Sequence, residues 1–391
     1  MIQSRAIVFL GCVVTAACAL SILSAAQPDK ENPKGAESAP GQPPDAKTTK
    51  PPQTVEELEA LIRKLDEAGR GNDSDGGSSG IGALLSALLQ VRDPKLAGVL
   101  IYNLGTSTSW KVKAGCVGAL SNIDTPESTQ ALVKLLKSTP GRTPENEAAL
   151  KQGGMRTEVD FWMYGHSLTA AAECIVQRGQ IQSVIEDLKK FNLVKELAAG
   201  GKPGLEAIME WSREIKSGKT KDRLPAGTTL AVAAIRSPDC LELLREAALD
   251  KDLHDEVRQS AIQALAEGWG VGEYETIIVV ARTAHPAGVR AQAYRYAAKL
   301  NPKTAADELI PLLKSSVAEL RGTGACLLGT LGNPKVIPDL VELLDDEQDT
   351  VKVQALAGLW LLEHTKRTVK WNDPKFEKEY QQWMDSHPKG N

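Results

Sequence analysis

Aromatic residues are scarce in this chain of 391 residues, at 4%, so any cluster of them is informative. Histidine is scarcer. There are five, with no H-x-x-x-H or H-E-x-x-H spacing, which excludes a helix-borne zinc site. Of six cysteines, Cys12 and Cys18 lie in an apolar N-terminal run. Cys116, Cys174, Cys240 and Cys326 are separated by 58, 66 and 86 residues, and no C-x-x-C occurs. That is neither metal nor haem-attachment spacing, and the expectation is four small buried hydrophobes. Charge of one sign is not concentrated either: 46 Lys and Arg face 50 Asp and Glu, for a net charge of −4. A nucleic-acid partner needs a concentrated basic face, so none is expected.

Catalytic and phosphate-binding motifs fail on inspection. Gly76-Gly77-Ser78-Ser79-Gly80 matches G-x-S-x-G, but a nucleophile elbow needs a strand before it and a helix after it. Gly218-Lys219-Thr220 resembles the end of a P-loop, yet Arg213 stands where the first glycine belongs. Asp73-Ser74-Asp75 opens like a calcium loop whose twelfth position would be Leu84 rather than a bidentate Glu. No acid, base, nucleophile or ligand set remains, so neither catalytic activity nor a cofactor or metal is expected.

What is present is a repeat. Val257, Val289, Leu320 and Val351 each open a segment, and Arg258, Arg290, Arg321 and Lys352 follow immediately. Ala261, Ala293, Gly324 and Ala355 come four positions after the openers; Leu265, Ala297, Leu328 and Leu359 come eight after. The steps are 32, 31 and 31 residues, and a period of that size means a stacked array. Upstream, Val112, Lys113, Cys116 and Leu120 fit the template, as do Leu168, Ala172 and Val176, and then Ala226, Leu230 and Ala234. Turn signals at Asp93-Pro94, Ser237-Pro238, Asn301-Pro302 and Asn333-Pro334 each announce a helix. The fold class is therefore all-α, an α-solenoid of seven or eight antiparallel helix pairs whose members cannot bury their apolar stripes alone.

The ends and one insertion depart from the repeat. One positive residue, Arg5, precedes an uncharged run to Ala26, which ends Ser24-Ala25-Ala26. Residues 1–26 are expected to be a signal peptide or, if uncleaved, an N-terminal anchor, and lipidation of Cys18 is a third route. Either way the remainder is expected to be exported, with membrane contact only through this segment if it is uncleaved. Residues 27–53 read as a Pro/Lys-rich spacer without apolar residues to bury. Residues 54–80 carry a capping helix with Thr54 and Glu57 as a capping box, followed by a Gly/Ser loop. The array is expected over 81–365, with a long loop near 138–160. Residues 366–391 end it with a helix bearing Phe376, Tyr380 and Trp383 at i, i+4 and i+7, suited to cap the last repeat.

The Pro-started first helix, the acidic turn and the Val-Arg/Lys-x-x-Ala-x-x-x-Leu second helix resemble the HEAT-repeat family, in the short bacterial form also seen in phycobilin lyases. The match is strong over 237–362 and fair over 93–120. The resemblance implies a superhelix whose second helices line a concave face, and most relatives are protein–protein scaffolds. It also implies that each basic residue is held by a turn Asp. Asp255 and Asp349 can serve Arg258 and Lys352, Arg321 has only Glu319 nearby, and Arg290 has none, its turn being His285-Pro286.

Two groups are the candidate binding residues. Arg290 is the best member of a basic column that either cross-links the array or meets an acidic partner. Trp162, Tyr164 and His166, with Trp110 at the matching place one unit earlier, either form a contact patch or seal a gap between irregular repeats. The leading expectation is an exported, non-enzymatic scaffold, periplasmic or attached to a bacterial envelope, that binds another exported protein of unknown identity. The alternatives are a ligand-binding or lyase-like protein with a pocket at Trp162, Tyr164 and His166, and a purely structural envelope spacer.

Overall fold

In a computed structural model, residues 50–70, 78–141, 158–220, 223–225 and 227–364 are described. The expected signal, most of the spacer and insertion, and the C-terminal helix lie outside these residues. Eighteen α-helices occur among the described residues, with no strand. No described helix is long and apolar enough to cross a membrane. The helices divide between two compact units that meet in sequence at Cys240 and Leu241.

The N-terminal unit holds α1 (Val55–Arg70), α2 (Ser78–Leu89), α3 (Ala97–Thr106), α4 (Trp110–Ser121), α5 (Pro126–Ser138), α6 (Glu158–Gln177), α7 (Ile185–Lys190), α8 (Val194–Ala199), α9 (Lys202–Lys216) and α10 (Thr228–Ala233). The amphipathic stripe of α1 is buried at Leu58, Leu61, Ile62 and Leu65. Thr54 Oγ1 accepts from the Glu57 N–H at 3.2 Å, and the Glu57 carboxylate reaches back one residue beyond the cap, to the Gln53 N–H. The pairs α1/α2, α3/α4 and α5/α6 follow one another, with α2, α4 and α6 in lateral contact through α4.

The C-terminal unit is more regular. Its pairs are α11 (Leu241–Leu249) with α12 (Asp255–Trp269), α13 (Tyr274–Thr283) with α14 (Ala287–Leu300), α15 (Pro302–Leu309) with α16 (Ala318–Thr330), and α17 (Ile337–Glu342) with α18 (Asp349–His364). The second helices α12, α14, α16 and α18 lie side by side. The openers Val257, Val289, Leu320 and Val351 are fully buried, as are Ala261, Ala293 and Ala355. Apolar residues at i, i+4 and i+8 keep one helix face toward the paired first helix.

Three of the four turn signals act through one device. Asp93, Asn301 and Asn333 each place a side-chain oxygen on an N–H two or three residues on, at 2.9, 3.4 and 3.2 Å. Proline follows each cap, at a position whose N–H would have no helical partner. Thr125 caps α5 in the same way ahead of Pro126.

Three local expectations change. The insertion is shorter at its far end, because α6 begins at Glu158, so Phe161 to His166 lie within the helix rather than ahead of it. The Gly/Ser loop also ends earlier, with Ser78 already in α2. The supposed repeat helix at Ala226, Leu230 and Ala234 is only the six-residue α10, which buries Ala231, Val232 and Ala233 and leaves Leu230 75% exposed. Gly227 sits in the left-handed region at φ 91° immediately before it, so no longer helix runs through this point.

Candidate functional site

The basic column of the C-terminal unit is drawn into the array. Arg258 is 1% exposed; it donates to the His285 carbonyl in the following turn and pairs with Asp255 at 3.6 Å. Burial holds its pKa below the usual arginine value. Arg290, half-buried, donates from Nε to the Ala281 carbonyl at 2.9 Å, in the last turn of its own first helix. Arg321 donates to both carboxylate oxygens of Asp346, in the next turn, and to the Ser315 carbonyl at 2.8 Å. Lys352 bonds Asp349 at 3.1 Å. Acceptors 25 and 27 residues downstream therefore serve Arg321 and Arg258, and helix-end carbonyls take the place of the missing turn Asp.

A second ladder runs along the first helices and has no counterpart in the sequence reading. Arg245 on α11 grips Glu273, at the entry to α13, at 2.8 and 2.5 Å. Arg282 on α13 holds Glu308 on α15, and Lys314 lies 3.8 Å from Asp339 on α17. The arginine hydrogen bonds depress the Glu273, Glu308 and Asp346 carboxyls below their ordinary range. The partners lie 28, 26 and 25 residues apart, short of the repeat step, so no fixed period in the sequence announces them.

The aromatic candidates meet inside the N-terminal unit. Trp110 and Tyr164 are each 4% exposed, edge-on at 4.8 Å, with Phe191 edge-on to Tyr164 at 6.5 Å. The Tyr164 hydroxyl donates to the Pro140 carbonyl at 2.6 Å, tying α6 to the start of the insertion. Lys113 and Lys190 place their ammonium groups 4.8 Å over Trp110 and 4.5 Å over Phe191. Burial depresses the Lys113 pKa. In this geometry the rings fill space where α4 and α6 meet, with cations closing their outer faces. His166 lies two residues on and is exposed. Trp162 falls in α6, but its side chain is outside the described set. The structure thus brings Trp110 and Tyr164 together and places Arg290 in the other unit.

Sequence reasoning passed over a polar row on the second-helix face of the C-terminal unit. Gln259, Gln263 and Glu267 follow one side of α12; Gln292, Arg295 and Tyr296 follow one side of α14. Gln263 donates to Glu267 at 3.0 Å, the Tyr296 hydroxyl reaches the same carboxylate oxygen at 3.4 Å, and Arg295 donates to Gln292 at 3.2 Å. All six side chains are at least partly exposed. On α16 the row stops, because Gly322, Thr323 and Cys326 are buried.

The four cysteines are buried and form no disulfide among the described residues, and burial pushes the Cys116 and Cys240 thiols up to about 12 and about 11. Such thiols are poor nucleophiles at neutral pH. Among the described residues, no group of three or more His, Cys, Asp or Glu side chains is arranged to hold a metal ion.

Residues 274–360 match the family model for HEAT repeats. With the paired helices and their stacked second layer, these residues are HEAT repeats within an all-α solenoid. A curated human relative, glyoxylate reductase/hydroxypyruvate reductase, is 26% identical over 147 residues, which cover 37% of this chain and 43% of that protein. The chain thus spans less than half the length of that relative, and the likeness carries no argument about activity. Among solved structures, human deoxyhypusine hydroxylase in complex with glycerol is 19% identical. That alignment covers 79% of this chain and 97% of the other, with a TM-score of 0.28, and it too carries no argument.

Proposed function

We propose that this chain is an exported, non-enzymatic interaction scaffold of a bacterial envelope. In this reading the second-helix face of its C-terminal unit takes another exported protein. One observation carries it. The charged residues that match the repeat period are engaged inside the array, Arg258 and Arg321 to the next repeat and Arg290 and Lys352 within their own, whereas the row from Gln259 to Tyr296 keeps all its side chains at least partly in solvent. The row ends in Arg295 and Tyr296, and arginine and tyrosine are residue types that anchor protein interfaces. Export rests on the uncharged run from Ala6 to Ala26 behind Arg5.

The test is a paired capture from envelope extract, with the chain and its Arg295→Glu/Tyr296→Ala variant as baits. Folding of both is checked by circular dichroism. A protein retained by the first bait and lost by the second supports the scaffold. Equal retention by both removes this face as the binding surface. Turnover of a substrate by the purified chain, abolished by a substitution in the row, would end the non-enzymatic reading.

A further inference from the structure

A cleft of about 780 Å³ runs along α5 in the N-terminal unit. One wall is the outer side of α5, including Thr129, Gln130, Val133, Lys134 and Lys137; the other is the segment after α6, with Arg178, Gln180 and Ser183. We infer that this cleft binds an extended, acidic polypeptide segment. The inference stands apart from the second-helix face and would survive its failure.

Shape comes first. The lining runs from Thr125 to Ser138, which at ~1.5 Å per residue is a helix length of about 20 Å. An extended segment rising ~3.3 Å per residue would place about six residues along it. The volume falls within the usual range of ~300–1,000 Å³ for ligand sites, but this site is elongated in the manner of a peptide groove.

One wall is held rigidly. Arg178 has a side chain 12% exposed and donates to the carbonyls of Leu120, Ser121 and Ile123 at 3.2, 3.1 and 2.9 Å. It also donates to Thr129 Oγ1 at 2.9 Å and pairs with Asp124 at 3.2 Å. Its guanidinium sits where α4 ends, at the negative end of that helix dipole. Arg178 is thus a fixed part of the wall, its charge matched before any ligand arrives.

Charge then selects the occupant. Asp124 is the one carboxylate in the lining, and Arg178 already engages it. Lys134 and Lys137 are exposed, and neither makes an ion pair or hydrogen bond among the described residues. They lie three residues apart on α5, which puts them on one face about one turn apart. Two unmatched ammonium groups at this end favour two carboxylates, and the Gln130 and Gln180 amides can meet a peptide backbone. The lining has no aromatic ring on which a base could stack, and a single strand of nucleic acid draws on such stacking. Asp124 would further oppose a phosphate backbone.

The probe is fluorescein-labelled hexaglutamate, titrated against the purified full chain by fluorescence anisotropy at low and at moderate salt. Free glutamate and inorganic phosphate serve as competitors. The expected result is saturable, salt-sensitive binding that weakens at least tenfold in Lys134→Glu/Lys137→Glu. Lys335→Glu, in the other unit, should bind as the parent does. Lys134→Gln/Lys137→Gln should fall between, and all variants should melt at the parent temperature. Absence of binding, equal loss in Lys335→Glu, or competition by free glutamate or phosphate as effective as that by unlabelled hexaglutamate would each overturn the inference.

Discussion

Arg321 on α16 presents Nε and Nη2 to the two carboxylate oxygens of Asp346, at 2.7 and 2.9 Å, and so joins the second helix of one repeat to the turn of the next. Both side chains are largely shielded from solvent, at 11% and 7% exposed. A bidentate pair of this kind fixes geometry as well as charge. The two repeats are thereby registered as well as packed.

Removing one partner should therefore loosen the end of the array. Asp346→Ala leaves the guanidinium part-buried with Nε and Nη2 stripped of their carboxylate, a loss of about 1–3 kcal/mol. At ~2–4 °C per kcal/mol for a chain of this class, the melting temperature should drop by several degrees. Differential scanning calorimetry checks this. An unchanged melting temperature would mean that the pair is only a surface contact.

The same carboxylates set an acid limit. Glu273, Glu308 and Asp346 are held below their ordinary values of 4.5, 4.5 and 3.8 by arginine hydrogen bonds. The unfolded chain then binds protons more readily, so this stability is fully present above the ordinary carboxylate range and is lost as pH falls through it. Melting temperature should be flat from pH 7 to about 5 and fall below that. In the Glu273→Gln/Asp346→Asn variant, the fall should be shallower from a lower plateau.

Close approach of α16 and α18 depends on two glycines. A Cβ at Gly329 would strike the Gly358 backbone, and one at Gly358 would meet the Ala325 carbonyl. Neither obstacle can swing aside as a side-chain tip would. Gly329→Ala should cost about 1–3 kcal/mol through forced helix separation, measured by urea denaturation. Gly98→Ala, in open space on α3, should be neutral or slightly stabilising.

The aromatic group makes a packing prediction. Trp110→Ala removes a buried ring and should destabilise the chain by about 3–5 kcal/mol. Tyr164→Phe keeps the ring but loses the bond to Pro140, and should cost about 1 kcal/mol. Equilibrium denaturation followed by circular dichroism measures both. Wild-type stability in Trp110→Ala would mean that its ring is free for a partner.

Helices and their stacking were readable from the chain because their causes are local. Val, Ala and Leu at i, i+4 and i+8 make a stripe wherever they fall, and Asn or Asp before Pro begins a helix by bonding its own backbone. Those patterns determined an α-solenoid of paired helices, the buried columns of the second layer and the burial of four cysteines. The weak template at Ala226 misled because a left-handed Gly227 interrupts the helix, and backbone conformation is not part of an apolar count.

The partners of the charged residues were decided by tertiary structure alone. Arg321 finds Asp346 25 residues away, Arg245 finds Glu273 at 28, and Arg178 reaches carbonyls 55 to 58 residues back. Such pairings depend on how far each helix pair is shifted and turned against the next. The same register put Trp110 against Tyr164 inside the unit and left Lys134 and Lys137 facing an open cleft. Sequence periodicity specifies which face of a helix is buried. Only the packing of one repeat on another specifies what each polar side chain can reach.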